Sequence, residues 1–294
     1  MKVGTFEIWK VIQDLYSDMS SQVKWNGHTS KHCNIKQGVR QGGVLSTHLY
    51  KLYINDLPPE LEKRGLGLTI GLEYCGIPLC ADDIVLMSTD VEEIQTMLDI
   101  AYKYSCQHRY NIHPQKSALI KTERNKMKSL TEPVKLGENP LQTVNQTVHL
   151  EIIRANKNET NLNIQEHISI ARKTLYSLIP VGLNGKNGLN PVTAYKIYQA
   201  YVLSRLLYGL EVLPLNISQI TELKQFHTKT LRCFQSLPVR TATSAVYRLL
   251  GALPIEAELH KRQLSLLYSI LASENKKLKN LMERQLTATN VCVC

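Results

Sequence analysis

The chain has 294 residues, 43% of them hydrophobic and 20% charged, and carries a net charge of +10. That is length enough for two domains and a sizeable core, and it excludes collagen-like, mucin-like and disordered classes. The charge is uneven: residues 159–294 hold 16 Lys plus Arg against 8 Glu and no Asp, whereas residues 1–158 hold 19 against 17. A positive half beside a near-neutral one suits a polyanion such as nucleic acid, or marks a soluble basic protein.

Taken in chain order, Phe6, Ile8, Trp9, Ile12, Leu15 and Tyr16 recur at helical spacing. Gln22 to Ile35 places Asn26-Gly27 between short strand-like runs, which predicts a hairpin. Residues 37–43 form a Gly-rich polar loop. Ser46 then reads as the cap of a helix through Leu49, Leu52, Tyr53 and Leu57, stopped by Pro58-Pro59. Ile77 to Leu79 and Ile84 to Met87 are apolar runs on either side of Ala81-Asp82-Asp83, an acidic turn between two strands. Asp90 is the expected cap of a helix carrying Ile94, Met97, Leu98 and Ala101.

Ser117 to Lys121, Pro133 to Leu136, Gln142 to Val144 and Val148 to Ile153 read as further strands, with a turn at Gly137-Glu138-Asn139. The sum for residues 1–158 is α+β, with strands returning to one antiparallel sheet. From Asn158 on the pattern is helical. Ile164, Ile168, Ala171, Leu175 and Leu178 form one apolar face. A loop from Gly182 to Asn190 leads to Pro191 in a first helical turn, and further helices are expected at 191–210, 220–234 and 255–271. The boundary between the halves is placed near 155–162. In the first of these three helices Tyr195, Tyr198, Tyr201 and Tyr208 read as core packing rather than a base-stacking surface.

Asp82-Asp83 is the feature with the most chemistry. Two carboxylates at roughly 4 Å repel by about 4 kcal/mol at an effective dielectric near 20, so an apolar hairpin holding both is costly unless a cation sits between them. Mg²⁺ takes carboxylate oxygens and keeps sites for phosphate and water, as nucleotidyl transfer requires. Taken alone, an Asp-Asp between two strands reads first as a solvated acidic turn.

Its company changes that reading. The strings Gln37-Gly38-Val39-Arg40-Gln41-Gly42-Gly43-Val44-Leu45-Ser46, then Leu49-Tyr50-Lys51-Leu52-Tyr53-Ile54-Asn55-Asp56-Leu57, then Leu79-Cys80-Ala81-Asp82-Asp83-Ile84-Val85-Leu86 resemble, in order and spacing, the reverse transcriptase domain of non-LTR (LINE-like) retrotransposons. Asn111 to Ser117, with Lys116, is similar to the family's N-x-x-K-S segment, and His149 to Arg154 to its primer-grip strand. The helical half is similar to the thumb and adjoining region.

The resemblance implies a partial right-hand polymerase palm over residues 1–158 and a helical thumb and C-terminal region over 159–294. It implies Asp82 and Asp83 as catalytic and Mg²⁺-holding residues, and Lys116 as a proton donor or charge partner for the departing phosphate. Arg40, Gln41 and Gly42 would lie against the template and the incoming nucleotide. The implied partners are an RNA template, a DNA primer or RNA–DNA duplex, and dNTPs; the sequence leaves the oligomeric state open.

Several residues depart from the family pattern. Its D-x-x-K-A-F-D segment, with another metal-binding aspartate, has no counterpart before Phe6, and Asp14 and Asp18 are no replacement for it. Cys80 stands for the usual tyrosine of Y-A-D-D, Thr47 for a proline and Glu151 for a glycine. The expectation is an N-terminally truncated fragment, inactive on its own; the rival expectation is a non-enzymatic nucleic-acid-binding remnant. Cys292 and Cys294 are too few for a zinc knuckle, and His28 and His32 lack a third ligand. The seven scattered cysteines read as reduced thiols. No signal-peptide core or membrane span is visible, so an intracellular place, nucleus or cytoplasm, is expected rather than secretion.

Overall fold

A computed structural model describes residues 6–36, 38–40, 42–122, 133–185 and 187–290. Gln41, Cys292 and Cys294 lie outside the described residues. The chain forms two compact units: Met1–Ile112 with Val134–Asn139, and His113–Pro133 with Pro140–Cys294.

The first unit opens with α1 (Phe6–Tyr16), which has the predicted bounds and no buried residue. Then come β1 (Ser20–Ser21), β2 (Lys24–Trp25), β3 (His28–Thr29) and β4 (Cys33–Asn34). Trp25 pairs with His28 across Asn26-Gly27, and Ser20 and Ser21 pair with Asn34 and Cys33. Asn26 and Gly27 both have positive φ, 47° and 79°, as the tight hairpin turn demands.

Two details of the next segment differ from expectation. Helix α2 (Ser46–Ile54) begins at Ser46, whose hydroxyl donates back to the Arg40 carbonyl instead of capping. Pro58-Pro59 does not stop that helix. It lies in the first turn of α3 (Leu57–Lys63), where a missing N–H is harmless.

The strands β5 (Thr69–Ile70), β6 (Glu73–Tyr74), β7 (Leu79–Cys80) and β8 (Asp83–Ile84) are short hairpin pairs. Backbone bonds join them: Leu68 N to Met87 O (2.7 Å), Met87 N to Gly76 O (2.8 Å) and Cys75 N to Leu68 O (2.8 Å). Helix α4 (Val91–Gln107) follows. Its core face, Met97, Ala101 and Tyr104, packs with Ile54, Leu57, Leu61 and Ile77. Asp90 stands at its N-cap without a side-chain capping bond. Glu93 does the tying instead, accepting from Gly67 N (2.7 Å) and from the Ser88 hydroxyl.

The second unit carries a 3₁₀ turn at Pro114–Lys116 and β9 (Ala118–Leu119). β10 (Lys135–Leu136) belongs to the first unit, where the Gln95 amide brackets Lys135 like an extra strand, at 2.8 Å to its N and 3.0 Å to its O. β11 (Asn139–Pro140) follows, then β12 (Gln142–Thr143), which runs parallel to β9. β13 (Gln146–His149) and β14 (Ile152–Ala155) form a hairpin, so the strand expected over Val148–Ile153 is in fact two strands. The turn residues Leu150 and Glu151 both have positive φ, 51° and 62°.

The expected single sheet is resolved, among the described residues, into seven two-stranded ladders, one of them parallel. Most of these strands are two residues long. The α+β class stands.

Helix α5 (Glu159–Leu178) buries Ile164, Ile168 and Ala171, the predicted face. Asn163 clamps the hairpin to it: its side chain accepts from Ile153 N and donates to Ile153 O, each at 2.8 Å. Helix α6 (Pro191–Ile197) is capped by Asn190, whose side chain accepts from Val192 N. A π-helical stretch, Tyr198–Leu203, leads into the short α7 (Ser204–Leu206). Tyr195 and Tyr198 are buried, while Tyr201 and Tyr208 are exposed, which corrects the all-core reading of the four tyrosines. Tyr201 lies within the wider π turn, which shifts the helical phase, and Tyr208 lies past the end of α7.

Helix α8 (Ile217–Phe234), α9 (Thr243–Leu250), α10 (Ile255–Ala272) and α11 (Lys276–Asn290) complete the unit. Its core joins Tyr198, Leu206, Leu207, Leu223, Leu231, Phe234 and Val246. No helix among the described residues is long and apolar enough to cross a membrane.

Candidate functional site

The acidic hairpin is built from an apolar stem and a polar tip. Leu79 pairs with Ile84, and with Ile77 and Leu86 they alternate onto the core formed by α2, α3 and α4. Cys80 pairs with Asp83, one residue further out and therefore on the opposite face. Ala81 and Asp82 form a two-residue turn, and Cys80, Ala81, Asp82 and Asp83 are all exposed. Asp83 thus belongs to the strand, not to the turn.

Ala81 has φ +52°, a left-handed value that a side chain normally avoids by about 1–2 kcal/mol. Strained residues of this kind concentrate at functional sites. Ala81→Gly is expected to stabilise the first unit by about 1 kcal/mol in urea melts, because glycine adopts this φ without the Cβ penalty.

The stem is held by a close crossing of two glycines. A Cβ on Gly76 would lie 2.8 Å from Gly67 Cα and 2.6 Å from the Tyr74 hydroxyl, and one on Gly67 would lie 2.8 Å from Gly76 Cα. This crossing sits beside the Met87 bonds, so it fixes the root of the strands that carry the aspartates. Neither glycine stands out in the sequence, because no turn or helix end marks it.

Tyr50 on α2 is the residue that sequence reasoning missed. Its hydroxyl is held above the ordinary tyrosine range, by burial first and then by Asp82, Tyr53 and Asp83. Both carboxylates therefore act on a group of α2, and Tyr50 stays a neutral donor at physiological pH. Behind it Tyr110 is pushed up to about 12 by burial and by Tyr50, Tyr104 and Tyr53.

The loop before α2 holds Arg40 and Gly42. Arg40 Nη2 donates to the Leu15 carbonyl (3.1 Å) and its Nε to Met19 Sδ (3.3 Å), so the guanidinium rests at the C-terminal end of α1. Gly42 has φ +80° and open space where a Cβ would stand. Arg40, Gly42, Asp82 and Asp83 belong to one unit; Gln41 lies outside the described residues. Lys116 is exposed in the 3₁₀ turn of the other unit.

Among the described residues no three His, Cys, Asp or Glu side chains converge on one point. The five described cysteines, Cys33, Cys75, Cys80, Cys106 and Cys233, are free.

Comparison with known proteins bears on this arrangement directly. The family model for reverse transcriptase (RNA-dependent DNA polymerase) matches residues 2–135, the span that contains the Gly-rich loop, α2 and the acidic hairpin. The retrovirus-related Pol polyprotein from type-1 retrotransposable element R2 of Popillia japonica is 22% identical over 245 residues, covering 80% of this chain. The chain spans 38% of the length of that relative. The loop, the helix and the hairpin all lie inside the matched span: residues 2–135 are similar to reverse transcriptase domains, and most of the chain is similar to part of a retrotransposable-element polyprotein.

Proposed function

We propose that the chain is part of an RNA-directed DNA polymerase that extends a primer 3′ end on an RNA template with dNTPs, with Asp82 and Asp83 as its metal-holding residues. The observation that carries this reading is the hairpin itself: two adjacent carboxylates on an exposed tip, with an apolar stem docked to a core. Hard oxygen donors open to water fit Mg²⁺, which is commonly held by one or two carboxylates plus phosphates and water. When bound there, the ion supplies charge neutralisation for the attacking hydroxyl and the leaving pyrophosphate.

The chain's own residues would do the positioning. Asp82 and Asp83 present oxygens at the tip. Tyr50 holds a neutral hydroxyl behind them, and Arg40, Gln41 and Gly42 border the template and the incoming nucleotide. Lys116 is proposed as the proton donor or charge partner for the departing phosphate. In this reading residues 1–158 are part of the palm and residues 159–294 are the thumb and C-terminal region, which carries the basic excess.

The 294-residue chain by itself is proposed to be inactive. Two carboxylates fall short of the three in the family's metal site, and no third converges with them among the described residues. The basic excess of residues 159–294 favours retained nucleic-acid binding even so.

Two measurements test the reading. Paramagnetic broadening by Mn²⁺ should centre on the amides of residues 81–84 and vanish in Asp82→Asn/Asp83→Asn; broadening elsewhere or nowhere refutes the metal assignment. Primer extension on an RNA template with Mg²⁺ should give no product, and synthesis that Asp83→Asn abolishes would overturn the inactivity.

A further inference from the structure

The glycine-rich loop between α5 and α6, in the second unit, gathers oxygen atoms more closely than its own hydrogen bonds account for. A Cβ built on Gly188 would meet Asn184 O, and would lie 2.5 Å from Gly182 O and 2.7 Å from Asn184 Oδ1. Two main-chain carbonyls and one side-chain amide oxygen thus close on one point, and a residue larger than glycine at 188 would fill it.

The three oxygens are unequally served. Gly182 O accepts from Leu189 N at 2.9 Å. No hydrogen bond among the described residues ends on Asn184 O, and Asn184 Oδ1 is buried with no partner among them. Turning the amide over does not cure this. Its Nδ2 donates to Ile179 O at 3.3 Å, and a flip would set oxygen against oxygen there. A buried acceptor without a donor is met by water or by a cation.

The backbone field favours the cation. Residues 179–190 contain no carboxylate; their one charged residue, Lys186, lies outside the described residues. The 20-residue α5 runs into the loop at its C-terminal end, where Val181 N and Leu183 N donate to Leu178 O and Gly182 N donates to Ile179 O. The C-terminal end of the 18-residue α8 docks on the same loop. There the Ser236 hydroxyl donates to Gly185 O, and a Cβ on Gly185 would run into Cys233 O. Two helix C-termini, each the negative end of a macrodipole, therefore meet at the loop. A divalent ion seeks carboxylates, which are missing here. Unwound carbonyls and helix C-terminal ends are instead the donors that hold Na⁺ or K⁺.

We propose that the α5–α6 loop binds a monovalent cation, Na⁺ or K⁺, through Gly182 O, Asn184 O and Asn184 Oδ1, and that this ion ties the ends of α5 and α8 together. The inference uses neither Asp82 nor Asp83, so it stands or falls apart from the polymerase reading.

The test uses the full chain at constant ionic strength, with tetramethylammonium chloride, whose cation is too broad for the cradle, exchanged for NaCl or KCl. One of the two small cations, at about 0.2 M, should raise the melting temperature of the second unit by about 3 °C. Backbone amide shifts on the same exchange should centre on residues 182–189. Asn184→Ala should reduce the rise about threefold or more. Asn187→Gly should keep it, because Asn187 is exposed and its φ of +53° is one that glycine adopts freely. If Asn184→Ala does not fold, the amide shifts of the unaltered chain decide the matter. Equal melting temperatures in the three salts, shifts centred elsewhere, or a rise that Asn184→Ala leaves intact overturn the site. A rise seen only in Lys186→Gln assigns the cradle to that residue's ammonium and overturns it as well.

Discussion

Gly67→Ala is expected to destabilise the first unit by about 3–4 kcal/mol. Two terms add. The residue has φ +104°, where an L side chain is strained by about 1–3 kcal/mol. The new Cβ also lies 2.8 Å from Gly76 Cα, a backbone atom that moves only if the strands part, and overpacking of that kind costs about 1–3 kcal/mol. The strands that would part carry the Leu68–Met87 and Met87–Gly76 bonds. Hydrogen exchange should therefore show early loss of protection at Met87 and Leu68, while peptides from α5 and α8 keep theirs. Uniform loss across both units, or unchanged exchange at Met87, would show that the glycine crossing is not what holds the hairpin root.

That crossing also shows where sequence reading stops. The Asn26-Gly27 turn and the apolar face of α5 are legible because each is set by neighbours in sequence: a turn needs positive φ in two adjacent residues, and a helix face repeats every three or four. The acidic hairpin is legible for the same reason, through its two apolar runs.

Gly67 and Gly76 meet across nine residues, and nothing in either one's neighbourhood announces the contact. Gln95 and Asn163 are similar: each side chain brackets a strand's backbone N–H and C=O, a role no local pattern encodes. Leu150-Glu151 hides a turn because neither residue is a usual turn former, so the alternating stretch from Val148 to Ile153 reads as one strand. Tyr201 and Tyr208 mislead because the first lies within a π-helical stretch and the second past the end of α7, so neither keeps the 3.6-residue period on which the core reading rests. The candidate site divides the same way. Its carboxylates are visible in sequence, and Tyr50, which feels both of them, is visible only once α2 is packed beside the hairpin.

The second unit should lose about 3 kcal/mol of stability in acid through one residue, His227. Its imidazole is buried in the core, and burial lowers its pKa to about 4 against the contrary pulls of the Leu253 carbonyl and Glu256. The hydrogen bonds define its neutral form. Nε2 faces the Leu253 carbonyl at 3.1 Å, which only accepts, so Nε2 carries the proton and Nδ1 accepts from the Tyr198 hydroxyl at 2.7 Å. Tyr247 lies against the ring, with centroids 5.8 Å apart. A second proton on Nδ1 would confront a hydroxyl already aimed at it in a site that solvates charge poorly.

The sign follows from linkage. In the unfolded chain the imidazole titrates near 6.5, so as the pH falls below that value the unfolded state takes up a proton that the folded state refuses. Stability contributed by the neutral ring is complete above about pH 6.5 and lost as the pH falls toward 4, about 2 kcal/mol of it by pH 5. Imidazole NMR should show the His227 signals unchanged from pH 7 to 5 and titrating only near 4, and urea midpoints of the second unit should drop over the same interval. A His227 midpoint near 6.5 would mean that the ring is solvated and that the Tyr198–His227–Leu253 chain is not a fixed part of the core. His227→Gln supplies the complementary measurement: with no titrating ring at this position, a variant that folds should lose the stability change attributable to it between pH 7 and 5.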